Sequence, residues 1–266
     1  MKNYYLLAIT VILFINVTSC SKPKTIVNEK WSLVWEDDFK GKQIDTVKWS
    51  KIPRGVSDWN QYMSNSDELY TIKDGNLILR AIQNTISPND TASYLTGGIY
   101  TKDKQLFGYG RLEIKAKMNS VEGARYAFWM LPEDAKWPEG GEVNILDRLS
   151  NDKFIYHTLH SNYTHKEGMR LKPPASTIVG MNPNNYNIYA FEKYQDSLVF
   201  YVNETKTKNY PRIETELEGQ FPFVEQDFYL LLNLQLGGSS LGTVKTTQLP
   251  AEIHIDWVRF YEPANQ

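Results

Sequence analysis

WPEGGEVNILDR, Trp137 to Arg148, is the stretch whose reading decides the rest of the chain. Gly140 and Gly141 set it off, and Glu142, Asn144 and Asp147 are then interleaved with Val143, Ile145 and Leu146. On a regular strand, residues two apart share a face. Glu142 and Asn144 therefore point one way and Asp147 the other. One extra residue, a β-bulge near Ile145 or Leu146, would bring Asp147 round to their side. The strand would then carry two carboxyls and an amide in a row. Two carboxyls on one surface are what acid-assisted cleavage of a glycosidic bond needs: one attacks or stabilises the sugar cation, the other protonates the leaving oxygen. The wet face of an ordinary amphipathic strand has the same spacing. The aromatic neighbourhood, Tyr126, Phe128, Trp129 and Trp137, tips the balance towards chemistry.

Working outward, short strands with turn signals between them account for most of the chain. Arg111 to Lys117 alternates cleanly, with Leu112, Ile114 and Ala116 on one face and charged residues on the other, which predicts a half-buried antiparallel strand. Strands are also predicted at Trp31–Trp35, at Leu77–Ala81 after the turn Lys73-Asp74-Gly75-Asn76, and at 126–131, 142–146, 155–160, 188–191, 198–202, 228–236 and 253–261. No stretch after residue 20 has a long, capped helical period. Many short strands predict a sandwich or a barrel. The segments 87–92, 166–185 and 237–247 are expected as loops that shape a cleft.

The chain has 266 residues and a formal charge of −2, with no basic block, so nucleic acid is not an expected partner. Lys2 followed by the apolar run Leu6 to Val17 is a targeting segment, too short for a confident membrane span. It ends in Val17-Thr18-Ser19-Cys20, small residues before the chain's single cysteine, as in a bacterial lipoprotein signal. The expected organisation is a signal peptide over 1–19, a lipidated tether over 20–30 beginning at Cys20, and one domain over 31–263. A monomer is expected, anchored by its lipid in the bacterial cell envelope, on the periplasmic or the outer-surface side.

The segments LVWEDDFKGKQIDTVKW (Leu33–Trp49), GGIYTKDKQLFGYGRLEIKAKM (Gly97–Met118), AFWMLPED (Ala127–Asp134), WPEGGEVNILDR, YLLLNLQLGG (Tyr229–Gly238) and IDWVRFYE (Ile255–Glu262) together resemble glycoside hydrolase family 16. This is the laminarinase, agarase and endo-β-galactosidase group. The resemblance implies an all-β fold, a β-jelly-roll of two curved antiparallel sheets with a concave glycan cleft. It also implies retaining endo-hydrolysis of a β-linked polysaccharide or glycan (β-glucan, galactan or host glycan) without a required cofactor. A glycan-binding protein that keeps the cleft but not the reaction is the alternative.

Bulged members of that family carry Glu-x-Asp-x-x-Glu. Glu142 matches the nucleophile, Asn144 stands where an Asp orients it, and Asp147 stands at the acid/base Glu. Asp for Glu removes one methylene, about 1.5 Å of reach. The resemblance also implies that Trp129 and Trp137 shape sugar subsites, that His160 lies near the acid/base group and that Asn60 binds sugar. Asp38 and Asp256 lie in segments that in many relatives hold a structural calcium, an ion that hard oxygen ligands suit, though two acids are also ordinary surface residues.

Overall fold

The computed structural model describes residues 30–224 and 226–264. The alternation in Arg111–Lys117 becomes a nine-residue strand whose odd and even positions are buried and half-exposed in strict turn. In chain order the strands are β1 (Trp31–Asp37), β2 (Ser50–Lys51), β3 (Tyr70–Lys73), β4 (Asn76–Gln83), β5 (Tyr94–Thr96), β6 (Gly98–Tyr100), β7 (Gly110–Met118) and β8 (Ala124–Pro132). There follow β9 (Glu142–Leu149), β10 (Phe154–His160), β11 (Ser176–Gly180), β12 (Asn187–Lys193), β13 (Ser197–Val202), β14 (Thr205–Pro211), β15 (Phe228–Leu236) and β16 (Ala251–Pro263). One helical turn, α1 (Asn162–His165), follows β10 and is closed by a capping box between Ser161 and Thr164. Among the described residues no helix is long and apolar enough to cross a membrane. The targeting segment and Cys20 lie outside the described residues.

The strands form two antiparallel sheets. One runs β14-β13-β12-β7-β16-β4-β3, with β1 on β16 and β5 on β4; the other runs β11-β10-β9-β8-β15-β6-β2. Strands distant in sequence lie side by side, as in the jelly-roll expected. Between the sheets, Leu112, Ile114 and Ala116 of β7 meet Tyr126, Phe128 and Met130 of β8 and Val143, Ile145 and Leu146 of β9 in one apolar core. Fully burying such a side chain contributes roughly 1.5–3 kcal/mol. A second, smaller cluster sits on the opposite face of the β11–β2 sheet. There Ile52 and Met63 cover Ala127, Trp129, Tyr229 and Leu231. The segment 52–63 is thus laid across the outer face of this sheet, and that face carries the site.

Six of these strands were not predicted: β2, β3, β5, β6, β11 and β14. β11 corrects the reading of 166–185 as loop. It pairs with β10 from Phe154↔Gly180 to Thr158↔Ser176. The predicted turn at 73–76 is a two-residue hairpin between β3 and β4, with Lys73 paired to Asn76. Asp74 and Gly75 have φ of 52° and 69°, the two positive values of a type I′ turn.

A Cβ on Gly75 would meet nothing within 4 Å, so only backbone strain opposes a side chain there. Gly75→Ala is expected to destabilise the fold by about 1–2 kcal/mol. The midpoint of urea unfolding checks this, and an unchanged midpoint contradicts it.

Candidate active site

The chain enters β9 through Gly141, whose φ is +83° and where a Cβ would lie 2.6 Å from the Phe223 ring. Only glycine makes that approach without strain. Beyond it, β9 pairs with β8 as Trp129↔Asn144, Phe128↔Leu146 and Ala127↔Asp147. Three residues of β8 thus face four of β9, and Ile145 is the extra one. On the other side Thr158 pairs with Asn144 and Tyr156 with Asp147, with the same register shift. The bulge lies where the sequence placed it, and Asn144 and Asp147 come to one face. Glu142 shares this face, opposite His160.

The cleft over this face has a volume of about 410 Å³ and is lined by Trp59, Arg125, Trp129, Trp137, Glu142 and Gln235, among others. Glu142 is held as an acceptor at both oxygens. Trp137 Nε1 donates to Oε2 and Asn144 Nδ2 donates to Oε1, each at 2.7 Å. Asp147 is recessed, 6% exposed, and its Oδ1 accepts from Arg125 Nε at 2.7 Å. Burial raises the Asp147 pKa; the Arg125 guanidinium opposes this and the charge of Glu142 adds to it. His160 Nε2 stands 3.9 Å from Glu142 Oε1, too far for a hydrogen bond. Burial lowers the His160 pKa against the pull of Glu142 and Asp147.

The structure separates the two tryptophans. Trp137 is 50% exposed and forms a wall, its ring edge-on to His165 at 4.6 Å between centroids. Trp129 is 7% exposed and belongs to the floor, with Nε1 donating to Asn233 Oδ1 at 2.7 Å. Trp59 stands edge-on against it at 5.0 Å. Asn60 is not among the residues that line this cavity. Its Oδ1 accepts from Ser57 N at 3.1 Å and closes the local turn, leaving Ser57 and Trp59 to face the cleft.

Asp38 and Asp256 do not fit a calcium ion. Asp38 is ion-paired with Lys40, and Asp256 Oδ2 lies 2.7 Å from Lys115 Nζ, so each carboxylate already has a cation. Among the described residues no group of three or more His, Cys, Asp or Glu side chains is placed to hold a metal.

Sequence reasoning missed Arg125, Trp59, Asn233, Gln235 and His165. Arg125 was accessible, since it shares strand parity with Ala127 and Trp129. Trp59 was not, because a loop has no period.

A β-sandwich with two carboxyls brought to one face of an aromatic-walled cleft is an arrangement suited to holding a carbohydrate. The family model of glycosyl hydrolases family 16 matches residues 57–259, and the chain belongs to that family. A keratan-sulfate endo-1,4-beta-galactosidase of Sphingobacterium multivorum is 32% identical over 245 residues, 90% of this chain and 57% of that protein. The chain thus spans little more than half of that relative. The laminarinase from Rhodothermus marinus superposes with a TM-score of 0.79 at 25% identity, over 88% of this chain and 98% of that one. A further solved structure superposes with a TM-score of 0.75 at 30% identity, over 86% of this chain and 98% of that one. It comes from work on endo-acting O-glycanases that prominent members of the human gut microbiota express to initiate mucin breakdown.

Arg125 favours the charged form of Asp147. Removing it in Arg125→Met should therefore make Asp147 titrate at higher pH than in the parent. Carboxyl-carbon NMR of labelled aspartate reads this, and a midpoint that stays or falls contradicts it.

Proposed function

We propose that the chain is a retaining endo-glycosidase of a β-linked glycan, with Glu142 as nucleophile and Asp147 as acid/base. The observation that carries this reading is the bulge at Ile145, which puts both groups on the cleft face. Glu142 attacks the anomeric carbon while Asp147 gives its proton to the leaving oxygen, and a glycosyl-enzyme forms. Asp147 then takes a proton from the water that releases the sugar. Asn144 and Trp137 aim the Glu142 carboxyl through the two hydrogen bonds it accepts. Burial favours the protonated Asp147 that the first step requires, and the Arg125 bond must yield to that proton. The reaction as written needs these side chains and water.

The relatives' names point two ways: a keratan-sulfate endo-1,4-beta-galactosidase at 32% identity and O-glycanases that initiate mucin breakdown at 30% favour a host glycan, while glucanases such as the beta-glucanase of Rhodothermus marinus at 29% favour a β-glucan, and our reading takes the first. Our reading places such a glycan along the cleft, between the Trp59–Trp129 floor and the Trp137 wall. It also keeps the lipid anchor at Cys20 and the cell envelope as location, supported by Lys2, the apolar run Leu6–Val17 and the residues Val17-Thr18-Ser19 before Cys20.

Product release from a panel of β-glucans, galactans, keratan and mucin glycans, using the chain that starts after Cys20, tests the activity. Cleavage by the parent and none by Glu142→Gln is expected, and Asp147→Asn should lose about 10²–10⁴-fold, the usual contribution of a general acid. Binding without cleavage, unchanged in Glu142→Gln, overturns the reading in favour of a glycan-binding protein. Anchoring is tested separately. Full-length protein made in a bacterium should take up labelled palmitate and sediment with membranes, and Cys20→Ser should do neither. Equal labelling of the two forms rejects the anchor.

A further inference from the structure

One buried residue outside the cleft contacts the bulged segment directly. His157 lies on β10 between Tyr156 and Thr158, the residues paired with Asp147 and Asn144. It therefore sits opposite the inserted segment of β9. Tyr156 and Thr158 share the cleft face by this pairing, so His157 points the other way, into the sandwich, where it is 0% exposed. Its Nδ1 lies 2.6 Å from the carbonyl oxygen of Ile145, the bulged residue itself. Its Nε2 lies 3.0 Å from Thr207 Oγ1, on β14 of the opposite sheet. The ring is also packed on Phe200, 4.9 Å between centroids.

A carbonyl can only accept, so Nδ1 carries the hydrogen and Nε2 accepts from the Thr207 hydroxyl. The extra residue of a bulge interrupts the ladder and leaves backbone groups without strand partners. His157 supplies the partner for the Ile145 carbonyl and ties it across the sandwich to β14.

We propose that His157 is a positioning residue that locks the bulge at Ile145 and so holds the Asp147 carboxyl on the cleft face. The proposal rests on the glycosidase reading for its consequence in rate, though its structural half stands apart. If the bulge were lost, or moved past Asp147, the strand's alternation would run unbroken from Glu142, and Asp147 would turn from the cleft face into the core. Glu142, placed before the bulge, would stay. The loss is therefore predicted to fall on proton donation and to spare nucleophilic attack.

The leaving group separates these two steps. A dinitrophenolate departs without a proton, whereas a sugar alkoxide needs one. Both the panel glycan that is cleaved and a dinitrophenyl glycoside of its repeating disaccharide serve as substrates, with kcat/KM reporting the glycosylation step. His157→Leu keeps the apolar packing on Phe200 and removes both hydrogen bonds. It should lose about 10²-fold on the glycan, the scale of a 1 Å misplacement or of lost acid assistance, and little on the dinitrophenyl glycoside. His157→Asn, whose amide nitrogen can stand where Nδ1 stands, should recover most of the loss. Equal losses on the two substrates, or no loss on the glycan, overturn the proposal. Should the parent cleave neither substrate, the glycosidase reading is what fails, and the crystal structure of His157→Leu decides the lock. A bulge moved off Ile145 with Asp147 freed from Arg125 supports it, and an unchanged bulge with the Arg125 pair intact refutes it.

Discussion

The period of a β-strand is two, and two carboxyls five residues apart cannot share a face without one inserted residue. Everything distinctive about this cleft follows from how that residue is accommodated. Ile145 and Leu146 are both fully buried, so two successive side chains of β9 are placed in the core, where a regular strand would place one. The apolar core takes them because Phe128 of β8 pairs with Leu146 and leaves Ile145 unopposed. The backbone is harder to satisfy than the side chains. A buried carbonyl left unpaired costs about 1–3 kcal/mol. A histidine buried beside it, held neutral because burial drops its pKa to about 4, accepts one hydrogen bond and gives the other to that carbonyl.

The two carboxyls brought together differ in environment, and on the reading proposed above the difference divides their roles. Glu142 accepts from an indole and an amide, both neutral donors. Asp147 lies deeper and bonds to a guanidinium. A side chain one methylene shorter than Glu draws its carboxyl back towards the sheet by about 1.5 Å, and that is where Arg125 Nε meets it. Arg125 itself stays protonated, its pKa raised by Asp147 and Glu142 against the effect of burial. A buried ion pair of this kind is weak evidence for stability, because desolvation offsets the attraction. Its consequence here is chemical: guanidinium and proton compete for one carboxylate, and the group whose pKa environment raises it is the one suited to giving a proton away.

Much of this was legible in the sequence, and the rest was hidden for definite reasons. Strands with one dry and one wet face, such as β7, announce themselves by alternation. β5 and β6 are three residues each, divided by Gly97, too short to show a period. β14, TKTKNYP, is an edge strand with mostly polar residues, and β11 is an edge strand that leaves Ile178 exposed. In both cases, pairing with a neighbour decides the structure, and composition does not reveal it. At the site, the bulge was foreseeable because a chemical requirement conflicted with a periodicity. Arg125 was overlooked because a lone cation on an amphipathic strand looks like ordinary surface. For Asn60, the turn it closes with Ser57, and not its residue type, decides what its side chain meets.

The far side of the cleft depends on a connection that no local pattern encodes. Trp59 reaches the floor from the loop 52–63, which Asp58 fastens to the end of β15: Asp58 Oδ2 accepts from both the backbone nitrogen and the hydroxyl of Ser239. Those bonds hold the Asp58 carboxyl below its usual pKa range. The chain can turn there because Gly238, at φ +107°, brings its backbone so close that a Cβ would lie 2.8 Å from Asp58 Oδ2 and 2.9 Å from Gln235 Nε2. Gln235 gives that nitrogen to the Gly237 carbonyl, which turns its Oε1 away into a buried position without a partner. This residue lines the cleft, directly across the strand pair from Arg125. The loop 237–247 shapes the cleft through this chain of contacts, Gln235 to Gly237–Gly238 to Asp58 to Trp59, and not by lining it.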